Sequence, residues 1–243
     1  MMKNVYFRSE VDSTNDEIMR LNDRTDLEWA ILFADHQTAG RGQRGNTWES
    51  EPGKNLTFSL YFRPVGVAAD EQFAISMAVA VEMTKILRPY VGRAKVKWPN
   101  DIYVGDSKIA GILIENRLKG NCISECVVGI GLNVNQSRFH SDAPNPVSIA
   151  QITGSEVDLS RLKRRIILHL GRMVDSRGYI ITPRLKSEYM SRLYRHVGYH
   201  RYADSTGEFD ARITDVEPSG RIVLKDRQRQ LRTYAFKEVK IIL

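Results

Sequence analysis

Between Gly40 and Gly45 the chain reads Gly-Arg-Gly-Gln-Arg-Gly, with Trp48 just beyond. Arginine forks onto phosphate or carboxylate oxygens, glycine lets a backbone approach a ligand closely, and an indole offers a stacking face. Together they suit an anionic, nucleotide-containing ligand. The run satisfies the dinucleotide pattern G-x-G-x-x-G and nearly satisfies the P-loop, with Asn46 where the phosphate lysine belongs. Both patterns require the glycines to open a helix whose N-terminus holds the phosphate. Here they are followed by Thr47, Trp48, Glu49, Ser50, Glu51, Pro52 and Gly53, which cannot form a helix of any length. An RNA-binding Arg-Gly element is a third option, with a single pair behind it. A lid over an anion is the expectation that remains, and a plain surface loop is its alternative.

Three other stretches could share such a pocket. Lys97-Trp98-Pro99-Asn100-Asp101 sets a cation, an aromatic, a stiff turn, an amide and a carboxylate at a strand end. Lys108-Ile109-Ala110-Gly111 puts a lysine shortly before a residue that gives backbone access, and Gly129-Ile130-Gly131-Leu132-Asn133 punctuates a strand with glycines, the mark of a bulge or a close ligand approach. Any one is weak, and the first alone could be only a packed turn. Together they make a coherent anion pocket.

The elements that must position these residues follow from periodicity. A strand near Val5 to Phe7 leads to Asp12-Ser13-Thr14-Asn15, where Thr14 and Glu17 form a capping box for a helix through Leu21. Strands are expected at Trp29 to Asp35 and Asn55 to Phe62, so the glycine loop joins two strands. A helix apolar on nearly every side fills Asp70 to Arg88 and stops at Pro89. Residues 94–134 read as an antiparallel meander with turns at Gly105-Asp106 and Gly120-Asn121. Amphipathic helices follow at about Ser160 to Arg177 and Pro183 to Arg195, the second capped by Thr182. From about residue 197 short, evenly spaced strands predict a small β-barrel. The fold class is therefore α+β and not βαβ, with a catalytic unit over 1–196 and a small unit over 197–243.

Composition excludes several classes. With 243 residues, 42% hydrophobic and 27% charged, the chain is neither disordered nor fibrous, and no apolar run is long enough to span a bilayer. The N-terminus has no apolar signal segment, so a cytoplasmic protein is expected. Cys122 and Cys126 fall in one strand, roughly 13 Å apart at strand rise, too far for a disulfide. His196 and His200 share helical spacing but straddle Gly198 with no cysteine or carboxylate cluster nearby, so no metal site is expected. The net charge of +7 is regional, because Arg161 to Arg201 holds eleven Lys or Arg against Asp175 and Glu188. That stretch could meet nucleic acid or an acidic protein partner, or simply be a solvated helical surface.

With Ser-Thr-Asn at 13–15, the glycine loop at 37–48, and the motifs at 97–104, 108–115 and 129–135 in this order, the chain resembles the biotin protein ligases, or biotin–acetyl-CoA-carboxylase ligases, from end to end. The resemblance implies a class II synthetase-like sheet packed with helices, an SH3-like C-terminal barrel, and two reactions. Biotin and ATP with Mg²⁺ first give biotinyl-adenylate and pyrophosphate. A lysine of a biotin carboxyl carrier protein then takes the biotinyl group. By the same resemblance Ser13, Thr14, Asn15, Gln37, Gly40, Arg41, Gly111, Ile112 and Gly129 line the biotin end. Arg44, Trp48, Lys97, Asn100, Asp101, Lys108 and Asn133 serve the ATP and adenylate end, with Trp48 stacking on adenine. Lys108, Arg41 and Asp101 carry the chemistry. The chain starts at the catalytic core without the helix-turn-helix domain of many members, so specific DNA binding is not expected, and the active form is expected to be a monomer or homodimer. Members often carry arginines where Gln43 and Asn46 stand, which implies a lid of lower charge. A lipoate or octanoate ligase is the enzymatic alternative, and a basic nucleic-acid-binding protein the alternative from another class.

Overall fold

The computed structural model describes residues 4–140 and 145–242, apart from the side chains of Arg24 and Arg44. A seven-stranded mixed sheet is the frame: β1 (Val5–Val11), β2 (Trp29–Gln37), β3 (Leu56–Phe62), β4 (Lys95–Lys97), β5 (Asp101–Val104), β6 (Ser107–Lys119) and β7 (Cys122–Leu132), in the order β1-β2-β3-β7-β6-β5-β4. β4 to β7 form the expected meander, turning at Gly105 and Gly120, both at positive φ where a side chain would be strained. The exclusion of βαβ needs one correction. β1 and β2 are parallel, joined by helix α1 (Thr14–Thr25), because a crossover helix between adjacent strands returns the chain to the same end of the sheet. The other pairings are antiparallel.

The sheet separates two layers. Phe58, Leu60 and Phe62 of β3 join the main core with α2 (Phe73–Val91) and with Leu162, Ile166 and Leu170 of α4 (Leu159–Asp175). The intervening Ser59 and Tyr61 face α1, where Ile18 centres a smaller cluster. Strand alternation thus assigns α1 to one face and α2, α4 and α5 (Pro183–Arg192) to the other. Two helix boundaries differ from expectation. Pro89 sits inside the last turn of α2, which runs on to Val91 and ends at Gly92; the proline has no N–H for Lys85 O four residues back, and that carbonyl accepts from Arg165 Nη2 at 3.1 Å instead. A short helix α3 (Ile149–Thr153) carries a capping box built from Ser148 and Gln151, too brief for periodicity to reveal.

Five C-terminal strands, β8 (His200–Asp204), β9 (Gly207–Val216), β10 (Ile222–Asp226), β11 (Leu231–Tyr234) and β12 (Lys240–Ile241), form an antiparallel sheet in the order β11-β10-β9-β8-β12. This is consistent with the expected SH3-like unit, although among the described residues no pairing closes β11 onto the two-residue β12. The sheet docks through Trp98, whose Nε1 donates to Gly220 O at 2.9 Å and whose ring meets Phe236 edge-on at 6.3 Å. Both cysteines are free, Cys122 exposed and Cys126 buried.

Candidate active site

Glycines dictate where the site lies. On the α1 face of the large sheet, a Cβ at Gly129 would fall 2.4 Å from Asn15 Oδ1, and one at Gly131 would fall 2.1 Å from the Trp48 indole. Trp48 also presses toward Gly111, 3.0 Å from where a Cβ would stand. Only glycine lets these groups lie on the sheet, so the glycine-punctuated strands form a floor. Above it opens a cavity of about 1200 Å³, lined by the sheet floor, the start of α1, the glycine loop and the edge of the C-terminal sheet.

At one end the walls are hydroxyls and amides. Ser59 Oγ donates its one proton to Asn15 Oδ1 (2.6 Å) and lies 2.8 Å from Thr14 Oγ1, and Gln37 Oε1 accepts from Thr14 N and Oγ1 at 2.8 and 3.0 Å. This overturns the Thr14–Glu17 capping box. Ser13 is the N-cap and makes no side-chain cap bond, Thr14 is turned into the pocket wall, and Glu17 pairs with Arg8 and Arg20. Asn15 Nδ2 donates to Glu115 Oε2 at 2.5 Å, and Arg41 spans Asp16 (2.7 Å) and Glu115 (3.5 Å).

At the other end the charges gather. Lys108 Nζ lies 2.7 Å from Asp101 Oδ1, both side chains about one-fifth exposed, and 5.6 Å from the centre of the Trp48 ring. Lys97 donates to Tyr103 Oη at 3.0 Å, and burial holds its ammonium below the usual lysine range, with Lys108 and Arg195 adding to the shift. Asn100 Nδ2 donates to Ile112 O across the floor at 2.7 Å. Asn133 is 2% exposed, and its Oδ1 has no partner. A buried carbonyl oxygen left unpaired is costly, and one beside a cavity is suited to a ligand or cation.

The glycine loop is a small ribbon: Trp48 N donates to Gly40 O, Gly42 N to Asn46 O, and Arg41 bridges to Thr47 around a single 3₁₀ turn at Gln43–Gly45. Gly40 shapes this ribbon, with Trp48 O 2.8 Å from where its Cβ would be, and does not itself line the cavity. The Arg44 side chain lies outside the described residues. The other residues expected at the two ends, from Ser13 to Asn133, all line one cavity. Sequence reasoning missed Ser59, whose signal was a small polar residue inside an alternating apolar strand, and Glu115, the last residue of a motif already in hand. It also missed Tyr202, Phe236, Lys237 and Lys240, which reach the cavity from the C-terminal sheet and which nothing local could reveal. Tyr202 is fully buried with an unpartnered hydroxyl, and burial pushes its pKa up to about 12.

The biotin/lipoate A/B protein ligase family model matches residues 9–133, the stretch that holds the floor, the glycine loop and the Lys108–Asp101 pair. The chain belongs to that family. The bifunctional ligase/repressor BirA of Salmonella typhimurium is 34% identical over 171 residues, 69% of this chain and 52% of that protein. The biotin–[acetyl-CoA-carboxylase] ligase of Paracoccus denitrificans is 34% identical over 157 residues, 62% of this chain and 64% of the other. The chain spans about half the length of the first of the curated relatives it matches. Among solved structures, the biotin protein ligase from Aquifex aeolicus in complex with biotin and ATP superposes with a TM-score of 0.78 at 22% identity, covering 99% of each chain. The family fold therefore extends through the C-terminal sheet.

Proposed function

We propose that the protein is an ATP-dependent biotin protein ligase that forms biotinyl-adenylate and passes the biotinyl group to a lysine of a biotin carboxyl carrier protein. The observation that carries this is a single cavity whose ends differ in chemistry and meet at Lys108. The Thr14, Asn15 and Gln37 end, braced from behind by the buried Ser59, offers hydroxyl and amide groups to a ring that can both donate and accept, as a ureido ring does. A dithiolane ring can return no strong hydrogen bond to such groups, which favours biotin over lipoate.

In the first step a biotin carboxylate oxygen bonds to the α-phosphorus of ATP and the bond to the β-phosphate oxygen breaks, releasing pyrophosphate. Two anions must meet, so Lys108 and Arg41 offset their repulsion where charge develops. In the second step the amine of the acceptor lysine attacks the acyl carbon, AMP leaves, and the amine proton needs an acceptor, for which Asp101 is the carboxylate in place. The ribbon over the floor shields a water-sensitive anhydride. Among the described residues no cluster of three His, Cys, Asp or Glu exists to cage a metal. A Mg²⁺ would be held mainly by substrate phosphates, with the Asp101 carboxylate and the unpartnered Asn133 Oδ1 as hard oxygen donors. When bound, the ion would neutralise phosphate charge. Among the described residues no helix is long and apolar enough to cross a membrane.

The test is to incubate the chain with ATP and Mg²⁺ and either biotin or lipoate, following pyrophosphate and the acyl-adenylate. Pyrophosphate release with biotin but not lipoate is expected. Release with lipoate alone would replace the proposal, and release with neither would overturn it.

A further inference from the structure

The second limb of the glycine ribbon is fastened to the chain segment that follows β7, and the fastening centres on Glu49 and Gln136. Gln136 is 2% exposed. Its Nε2 donates to Glu49 Oε1 (3.0 Å) and Arg138 O (2.7 Å), while its Oε1 accepts from Glu51 N (3.0 Å) and Asn55 Nδ2 (2.5 Å). Every hydrogen-bonding position of a buried amide is thus used, and three of the four tie residues 49, 51 and 55 to one point. Glu49 adds a second tie, both carboxylate oxygens accepting from His140 N at 2.9 and 3.0 Å. Phe139 and His140 line the cavity beside Trp48 and Glu49.

A loop that must be ordered by its ligand spends binding free energy on that ordering, whereas a loop ordered by the protein's own contacts does not. Here the ribbon carries Gln43 and Asn46 at its tip, neutral side chains that give a phosphate no charge to order the loop around. The neighbouring Glu49 supplies order from the protein side instead. We infer that Glu49 is a positioning residue: its clasp on Gln136 and the His140 amide holds the ribbon, and with it Trp48, over the floor before substrate arrives, so that the unliganded chain binds nucleotide without the acyl acid present. This rests on the ligase reading for the identity of the nucleotide, but the clasp itself does not.

Two measurements separate them. Trypsin cleavage after Arg41 or Arg44 in the unliganded full chain reports ribbon order with no reference to activity. Glu49→Ala should speed it about tenfold, the factor expected when one to two net hydrogen bonds are lost. Glu49→Gln, which keeps an acceptor oxygen for Gln136 and His140, should stay near wild type. Titration of ATP with Mg²⁺ into the chain without biotin should show binding that Glu49→Ala weakens about tenfold and Glu49→Gln largely restores. If Glu49→Ala leaves both the cleavage rate and the ATP affinity unchanged, the clasp does not order the ribbon and the inference is overturned. A faster cleavage with no ATP binding by any form sinks the ligase reading and the nucleotide part of the inference, leaving only the clasp.

Discussion

At the scale of single residues, the Lys108–Asp101 pair decides most. Lys108 lies about one-fifth exposed at the junction of the cavity and packs into no core, so Lys108→Ala should leave folding intact and remove a charge from developing phosphate oxygens. A barrier rise on the order of 3 kcal/mol is expected. Pyrophosphate release near the wild-type rate from a folded variant would remove Lys108 from that role. Asp101 is assigned two duties with different signatures. If the 2.7 Å pair serves to aim Lys108, Asp101→Asn slows adenylate formation, whereas if Asp101 takes the acceptor's proton, the variant slows transfer from preformed adenylate and changes its pH profile. We expect both steps to suffer, and normal single-turnover transfer at every pH would eliminate the base. Lys97 gives a pH prediction with a definite sign. Burial makes its charged form harder to hold when folded, so as pH rises it loses its proton before an ordinary lysine at 10.5 would. The unfolded chain then binds the proton more tightly, and over that alkaline window stability rises with pH while any charge Lys97 lends to ATP is lost. The KM for ATP should therefore climb in that window, and Lys97→Arg, which stays protonated, should flatten the climb. Parallel profiles for the two proteins would exclude Lys97 from phosphate binding.

At the scale of elements, the glycine ribbon was the most legible part of the sequence and the helix start the least. Glycines at 111, 129 and 131 announced a close approach, and the structure supplies the approaching groups, Trp48 and Asn15. Thr14 and Glu17 fitted a capping box by spacing alone, because the sequence does not show that a pocket competes for Thr14's hydroxyl. The parallel β1–β2 pair was missed for a related reason: the hydrophobic period identifies a strand but not the direction in which it is paired. Within the ribbon, Gln43 lines the cavity with its Oε1 buried and unpartnered, so this position faces the ligand space and not bulk solvent. An arginine there would add a charge-assisted hydrogen bond worth about 1.5–3 kcal/mol to a bound phosphate. Such contacts act mainly on dissociation. Gln43→Arg should accordingly slow escape of labelled biotinyl-adenylate while leaving its rate of formation little changed, and equal off-rates would mean that position 43 does not touch the intermediate.

At the scale of the whole molecule, the question is where a carrier could dock. The sequence left the basic stretch from Arg161 to Arg201 open between an acidic partner and a solvated helical surface, and in the structure several of its charges are already engaged. Arg165 donates to Lys85 O and Ile86 O near the end of α2, Lys186 pairs with Asp215, Arg192 with Glu188, and Arg195 donates to Ile242 O. The arginines left exposed on α4, at 161, 164 and 172, belong to a helix packed against the face of the sheet opposite the floor glycines. A carrier held on that helix would have the sheet between its lysine and the adenylate. On the proposed function, cavity and carrier would instead meet at the open rim, where the C-terminal unit contributes the exposed Lys237 and Lys240 beside Phe236. No local signal marked these two lysines, because only the docking of Trp98 on Gly220 and Phe236 brings that sheet to the cavity. Rim charges steer association more than they add affinity, and they do so less as salt rises. Reversing Lys237 and Lys240 to glutamate should raise the carrier's KM several-fold at low salt, about 1 kcal/mol, and leave biotin adenylation alone. Reversing Arg161, Arg164 and Arg172 should change neither. The opposite pattern, with the α4 variant raising the carrier's KM and the rim variant silent, would place the docking surface on the helical face and require the carrier's lysine to reach the cavity around the edge of the sheet.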